Sequence, residues 1–366
     1  MKKLGRSKKV MSKLVPKNHF CSMAIFREAP LVNWTFTESI LFTAYDIQRS
    51  SDFWLDSVIS SGLTLKEAMI ELGLPKNVTM MADTGVFEFE AKKAGLGKEL
   101  GITLDTSLPN QTIFEAYTLS GADFYVAPDE IILPTDTRLD VRKKVAKIKT
   151  NVQEILEVAK PSQVISVLQG CDRQTIDTLF DFSKECGIDL FARGGLIPLW
   201  KHNKTLFDRI LKYTRKLTNG HWLHAFGLPR LGLLPQYLHK IGMDSVDSST
   251  LSYLTAKRQY LVGVDSRPVR LANFDDCQCD GCKILRENIQ PRSMEFFVGL
   301  YIHNVLEAAK VACSPYLTVL APNQEFGSDE LQANPKRLHA REQDSPKGTD
   351  GWRTAFEAYK KRSKQS

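Results

Sequence analysis

Short apolar runs alternate with amphipathic stretches along this chain. "ILFTAY" (40–45), "VTMMA" (78–82), "DFYVA" (123–127), "VISVL" (164–168), "IDLFA" (188–192) and "WLHAF" (222–226) read as strands, and "DSV" (244–246) as a shorter one. Helical patterns separate them: "LTLKEAMIELG" (63–73), "FEAYTLSG" (114–121), "TIDTLFDFSKECG" closed by Gly187, and "KTLFDRILKYTRKL". Residues 136–160 carry the stripe Val141, Val145, Ile148, Val152 and Ile155 at helical spacing, and "LLPQYLHKIG" predicts a helical turn or two. Strands alternating with helices predict βα units, hence a parallel sheet. About eight strands fit, so the expected fold class is α/β, a (β/α)8 TIM barrel. No GxGxxG comes after a strand, and a dinucleotide fold has no support.

The residues at the strand ends sharpen this picture. Asp83, Asp129, Gln169, Gly194–Gly195, Gly227 and Asp247 stand at or just past those ends. In a (β/α)8 barrel the carboxyl ends converge on one mouth, where active sites lie. Any one of these acids could be no more than an N-cap for its following helix. Three carboxylates and an amide at one topological level predict a shared site.

"DDCQCDGCKIL" (275–285) holds Cys277, Cys279 and Cys282 within six positions. Thiolates so spaced can point at one centre if the backbone turns tightly, and Gly281 is expected to permit that turn. Zinc takes four ligands, usually Cys or His. The downstream candidates are His303 and Cys313. His303 lies in the amphipathic stretch "FFVGLYIHNVLEAAKVA" and gives a closed Cys3His set, a structural Zn2+ and not a catalyst.

Seven cysteines is an odd number, and four are scattered (Cys21, Cys171, Cys186, Cys313). That argues against a disulfide framework and for a reducing, cytoplasmic compartment. The sequence has no run of 18 apolar residues, so no membrane span is expected. The net charge of +7 sits at the ends: residues 1–17 carry seven Lys/Arg and no acid, and residues 352–366 carry five with one Glu. Basic arms of this kind contact phosphate backbones or merely solubilise. The expected organisation is a basic arm (1–20), a barrel (21–321) with a zinc-binding subdomain inserted at about 268–312, and a polar tail (322–366). The tail carries Trp352, Phe356 and Tyr359 at the spacing of a short docking helix.

Together these pieces resemble the tRNA-guanine transglycosylase family, over residues 78 to about 310. "DTGVF" (83–87) resembles the family's D-S-G-x-F-Q loop, "APDE" (127–130) its F-D-E, "LQG" (168–170) its V-Q-G and "RGGL" (193–196) its I-G-G-L. "LHAFGLP" and "SVDSSTLSYLTAKRQYL" look most like the archaeal branch, and "LYIHN" (300–304) resembles the segment bearing the zinc histidine. The resemblance implies a (β/α)8 barrel with a C-x-C-x2-C…His zinc site. It implies exchange of a guanine within a polynucleotide for a free 7-deazaguanine base. Asp247 would be the nucleophile and Asp83 the acid/base. Asp129, Gln169 and the Gly195 N–H would read the base edge, with Leu196 beside them. Phe87 and Phe226 would sandwich the ring, each stacking contact worth about 1–3 kcal/mol.

The departures point within the family. Glu88 stands where the family has Gln, Cys171 where a second Gly usually follows Gln-Gly, and "FGLPR" lacks a glycine. With the chain's compact length, these favour the branch that inserts preQ0-type bases into DNA, in bacterial cells or phage-infected hosts. tRNA is the alternative substrate, and a non-catalytic nucleic-acid-binding subunit a further one. A homodimer or an accessory protein is an expected partner.

Overall fold

A computed structural model describes residues 19–22, 37–44, 62–71, 73–85, 108–227, 230–248, 250–287, 290 and 293–313. The basic arm before residue 19, Phe87, Glu88 and the tail with its Trp352 helix lie outside the described residues. The architecture is α/β with a parallel, barrel-like sheet. In chain order its elements are β1 (His19–Ser22), β2 (Ser39–Thr43), α1 (Leu65–Glu71), β3 (Thr79–Asp83), α2 (Asn110–Ser120), β4 (Phe124–Val126) and α3 (Arg138–Leu156). Next come β5 (Val164–Leu168), α4 (Arg173–Glu185), β6 (Leu190–Arg193), α5 (Leu196–His202), α6 (Lys204–Leu217), β7 (Trp222–Ala225) and β8 (Ser245–Ser248). Seven strands, β2 to β8, pair in sequence order and all in parallel. The short β1 pairs with β2 on one side and β8 on the other, bringing the edges together.

The strand period of two sorts the core into two layers. Leu41, Met81, Phe124, Val126, Ile165, Val167, Leu190, Ala192 and Trp222 form one cluster, the inside of the sheet. Their alternates, among them Phe42, Ala82, Leu168, Phe191, Leu223 and Val246, belong to the larger cluster packed under the helices. "VISVL" is buried at every position because both of its faces are covered. The helices begin where capping chemistry lets them. Thr137 and Asp140 form a capping box at α3, Asp172 caps α4, and Asn203 caps α6.

"LLPQYLHKIG" is not an ordinary helical turn. Leu231–Leu233 is a 3-10 turn and Gln236–Ile241 is wound as a π-helix, closed by Gly242 at φ +83°. Asp83, expected just after its strand, is its last residue, and Asp247 lies within β8 rather than beyond it.

A second unit lies after β8. It comprises α7 (Thr250–Ala256), the antiparallel hairpin β9 (Gln259–Val262) and β10 (Asp265–Pro268), α8 (Asp280–Glu287) and α9 (Met294–Cys313). α9 packs on α7, α8 and β9 and also reaches β1. The hairpin and α8 therefore stand between the last strand and a helix that returns to the sheet. Glu295–Cys313 is long and apolar enough to cross a membrane, and 67% of that stretch is buried within the molecule. Its burial here is that of a core helix.

Gly281 has a reason other than the expected tight turn. It lies in α8, and a Cβ there would sit 2.4 Å from the Gly299 carbonyl oxygen and 2.4 Å from the His303 nitrogen of α9. The two helices touch backbone to backbone at this point. Gly281→Ala is expected to cost about 1–3 kcal/mol or more, since backbone cannot yield as a side chain can. A lowered urea midpoint with unchanged slope would register it.

Candidate active site and metal centre

The inward row that is apolar through the sheet turns polar at the strands' carboxyl ends. Asp83 lies two residues beyond Met81, Gln169 two beyond Val167, and His224 and Phe226 two and four beyond Trp222. Ser245 and Asp247 flank the outward-facing Val246. By strand alternation all of them face the same interior, at the same end.

Asp129 arrives differently, on the loop after β4. The buried Asn151 of α3 fixes that loop by donating from Nδ2 to the Pro128 carbonyl at 2.9 Å. Asn110 of α2 donates in turn to Asn151 Oδ1 at 2.9 Å, and Lys144 holds the Ile131 carbonyl at 2.7 Å. The Asp129 carboxylate is buried and accepts from Gln169 Nε2 at 2.5 Å. Burial raises its pKa to about 7; the Gln169 hydrogen bond opposes this, and the charges of Asp83 and Glu130 add to it.

Gln169 lies flat on two glycines. A Cβ on Gly194 would stand 2.2 Å from Gln169 Nε2, and one on Gly195 2.7 Å from Oε1. Gly195 also sits at φ +67°, a conformation that disfavours side chains. "RGGL" is thus the surface that admits Gln169. Its Oε1 is buried without a hydrogen-bond partner among the described residues. A buried amide oxygen left bare costs about 1–3 kcal/mol, so it suits a donor brought by a ligand. The side chain of Leu196 is buried in the layer under the helices, turned from this surface.

Asp247 Oδ1 accepts from the Gly227 N–H at 2.8 Å and lies 3.3 Å from His224 Nε2. The other ring nitrogen of His224 is 2.7 Å from Ser245 Oγ, its cross-strand neighbour. Phe226 is part-buried, 4.5 Å from the His224 ring centroid in an edge-on arrangement, and its N–H donates to the Arg193 carbonyl at 3.0 Å. Asp83 is half-buried and accepts from the Gly85 N–H at 3.4 Å. Asp83 and Asp129 are near enough for both charges to act on the buried Tyr117 hydroxyl, which burial first pushes up.

Arg193, visible in the sequence only as part of "RGGL", is fully buried and faces outward from β6. Its guanidinium donates to the Leu168 and Gly170 carbonyls, 2.5 Å each, pinning the turn that carries Gln169. Burial lowers its pKa to about 10, so it stays charged at neutral pH. Sequence reasoning misses Asn151, Arg193 and His224. For His224 a signal exists, since it alternates with Trp222 and Phe226 on one strand face.

The second unit gathers Cys277, Cys279, Cys282 and His303, whose ligand atoms all lie within 4.8 Å of one another. His303 Nδ1 is 3.8, 3.4 and 3.4 Å from the three sulfurs in that order. Zinc–sulfur bonds of about 2.3 Å and a zinc–nitrogen bond of about 2.0 Å at tetrahedral angles set sulfur and nitrogen about 3.5 Å apart. The residues fit a tetrahedral thiolate-binding metal. His303 Nε2 meets the Leu261 carbonyl at 2.8 Å, which fixes the ring and leaves Nδ1 as the ligand atom. Tyr260 stacks on that ring at 3.8 Å and its hydroxyl is 3.1 Å from Cys282 Sγ. The Cys282 side chain, opposed by burial and assisted by His303, lowers the Cys279 thiol far below its ordinary range. Cys313, the other candidate ligand, is exposed at the end of α9 and outside the cluster.

Comparison of the chain with models of protein families and with curated proteins finds no match. What the fold and geometry define is an α/β barrel-like protein with a carboxylate-rich mouth and a separate Cys3His cluster that could hold a metal ion.

Cys279→Ser should release the metal, read by elemental analysis, and lower the melting temperature, because metal affinity in such a site is folding free energy. The chelated wild type should behave alike. For Asp129 the folded state keeps its proton to a higher pH than the unfolded state, which lets it go near 4. Its ionisation therefore costs stability progressively from about pH 4 to 7 and fully above. Asp129→Asn, whose amide oxygen still accepts from Gln169, should melt several degrees above wild type at pH 8. That advantage should shrink to about a third at pH 5 and be gone below about pH 4.

Proposed function

We propose that this protein is a nucleic-acid guanine transglycosylase built on a (β/α)8 TIM barrel. It would exchange a guanine in DNA for a 7-deazaguanine of preQ0 type. The observation that carries the reading is the convergence of Asp83, Asp129, Gln169 and Asp247 on one end of one sheet. The ordered likeness of "DTGVF", "LQG", "RGGL" and the cysteine motif to the transglycosylase family supports it independently.

The polar groups suit the base. A carboxylate offers only acceptors, and guanine presents N1–H and a 2-amino group as donors on one edge. Asp129 is the acceptor for that edge, with the Gly195 N–H and the second hydrogen of Gln169 Nε2 toward O6. Phe226 gives one face for stacking; Phe87, its expected counterpart, lies outside the described residues. A base inside a stack cannot reach such a mouth, so the target nucleotide is extruded.

The exchange balances on two carboxyl groups. An Asp247 oxygen donates a lone pair to C1′ as the C1′–N9 bond breaks. The bonding pair leaves with guanine, and Asp83 gives the departing ring a proton. The entering base loses its ring proton to Asp83, its nitrogen attacks C1′, and the sugar–aspartyl bond returns its pair to Asp247. Both carboxyls end as they began, in the manner of a retaining glycosidase with a heterocycle in place of water. Zn2+ held by Cys277, Cys279, Cys282 and His303 would cross-link the second unit and take no part in these steps.

Glu88, Cys171 and the altered "FGLPR" favour DNA; "SVDSSTLSYLTAKRQYL" and "LHAFGLP", closest to archaeal tRNA enzymes, favour tRNA as the second reading. Labelled guanine or preQ0 offered with matched duplex DNA and tRNA decides, and labelling is expected in DNA. Label in tRNA alone would exclude the DNA reading, and label in neither would leave a binding protein. Asp247→Asn should abolish exchange and the covalent protein–nucleic acid adduct on denaturing gels, with metal content unchanged. Base binding should tighten with pH as Asp129 ionises. If the carboxylate alone binds, affinity for preQ0 rises about tenfold from pH 6 to 8. Calorimetric titration would read it.

A further inference from the structure

Asp247 is held through one of its two oxygens. The Gly227 N–H and the His224 ring both meet Oδ1. Oδ2 accepts no hydrogen bond from any described residue, and the side chain keeps 13% of its surface exposed. Gly227 can make its contact because it turns in the left-handed region, at φ +71°, directly after Phe226.

His224 is more than a filler of the interior. Its side chain has no exposed surface, so its ring nitrogens must find partners within the protein. Ser245 takes Nδ1 and Asp247 takes Nε2. A neutral ring satisfies both when the Ser245 hydroxyl donates to Nδ1 and the Nε2 proton points at Asp247. The ring plane is set by packing. Trp222 lies nearly parallel to it, 5.8 Å away at 20°, and Phe124 continues the stack below at 6.3 Å. Phe226 covers the other side, edge-on. An aromatic column rising through the sheet thus ends in a hydrogen-bond donor aimed at one carboxylate oxygen.

We infer that His224 is a positioning residue for Asp247: by occupying Oδ1 together with Gly227, it turns Oδ2 toward the mouth as the attacking oxygen. This rests on the base-exchange reading of Asp247. In the attack the Oδ2 lone pair becomes the bond to C1′, while the C1′–N9 pair leaves with the protonated base. Oδ1 becomes the ester carbonyl and keeps both donors throughout. When the ester is cleaved by the entering base, those donors receive the charge returning to the carboxylate.

Two substitutions separate donation from packing. His224→Phe keeps a flat ring on Trp222 and removes the donor. His224→Gln places an amide N–H near the position of Nε2. With labelled preQ0 and the nucleic acid that accepts it, His224→Phe should lower kcat about 10²-fold with KM nearly unchanged, and adduct formation should slow equally. His224→Gln should recover to within about tenfold of wild type. Metal content and circular dichroism should be the same in all three. Wild-type turnover in His224→Phe, or equal loss in two folded variants, would overturn the assignment. A readout free of the reaction is the imidazole itself. In wild-type protein labelled with nitrogen-15 histidine, the His224 Nε2 should carry a proton. A bare Nε2 facing Asp247, with the proton on Nδ1, overturns the proposal even if exchange is observed. Failure of the wild type to exchange on either nucleic acid would instead strike the proposed function, and the tautomer would still decide the contact.

Discussion

In a parallel sheet every second side chain faces the same way, and here the inward rows stay apolar until their last step. Met81 gives way to Asp83, Val167 to Gln169, and Trp222 to His224 and Phe226. The apolar rows below fix the register, because a slip of one residue would expose one cluster and bury the polar ends under the helices. The site therefore inherits its geometry from hydrophobic burial. No polar interaction has to bring Asp83 and Asp247 to the same level, since the strands do so already.

Polar contacts then refine what the register delivers. Asp129 is outside the strand system, and a relay from α2 through Asn110 and Asn151 to the Pro128 carbonyl sets its loop. Two glycines open the space in which Gln169 lies against it. The second unit uses the same economy. Asn304, next to the ligand His303, accepts from the Leu261 N–H and donates to the Gln259 carbonyl and to Thr255. One turn of α9 thus presents His303 to the three cysteines and also holds the hairpin edge and α7.

The strands are legible in the sequence because their apolar runs are short, buried and bounded by polar ends. Asp83, Asp129, Gln169 and Asp247 stand out for the same reason. The cysteine spacing marks a candidate metal site, and the structure brings His303 into one cluster with the three thiols. Contacts between distant segments are what the sequence hides. Gly281 suggests a local turn, but its role is a meeting of α8 with α9. Asn151 sits in a helix whose apolar stripe draws attention from it. The π-wound segment at Gln236–Ile241 has no signature distinct from an ordinary helical turn. His224 is visible as a residue, but its neighbour Asp247 is 23 positions away and only strand pairing joins them.

Arg193 bears on a difficulty that any carboxylate-lined mouth has with a polyanion. On the base-exchange reading, whichever of Asp83, Asp129 and Asp247 are ionised would repel an approaching phosphate backbone. A guanidinium sealed beneath the Gln169 turn opposes that field from within, and the charge of Asp129 in turn helps to hold its proton. Mobile ions attenuate charges in contact with water far more than charges shut away from it. The compensation supplied by Arg193 should therefore persist at ionic strengths that erase attraction by surface lysines. On the same base-exchange reading, capture of the strand would be salt-sensitive, while the electrostatic balance met by the base inside the mouth would hardly change.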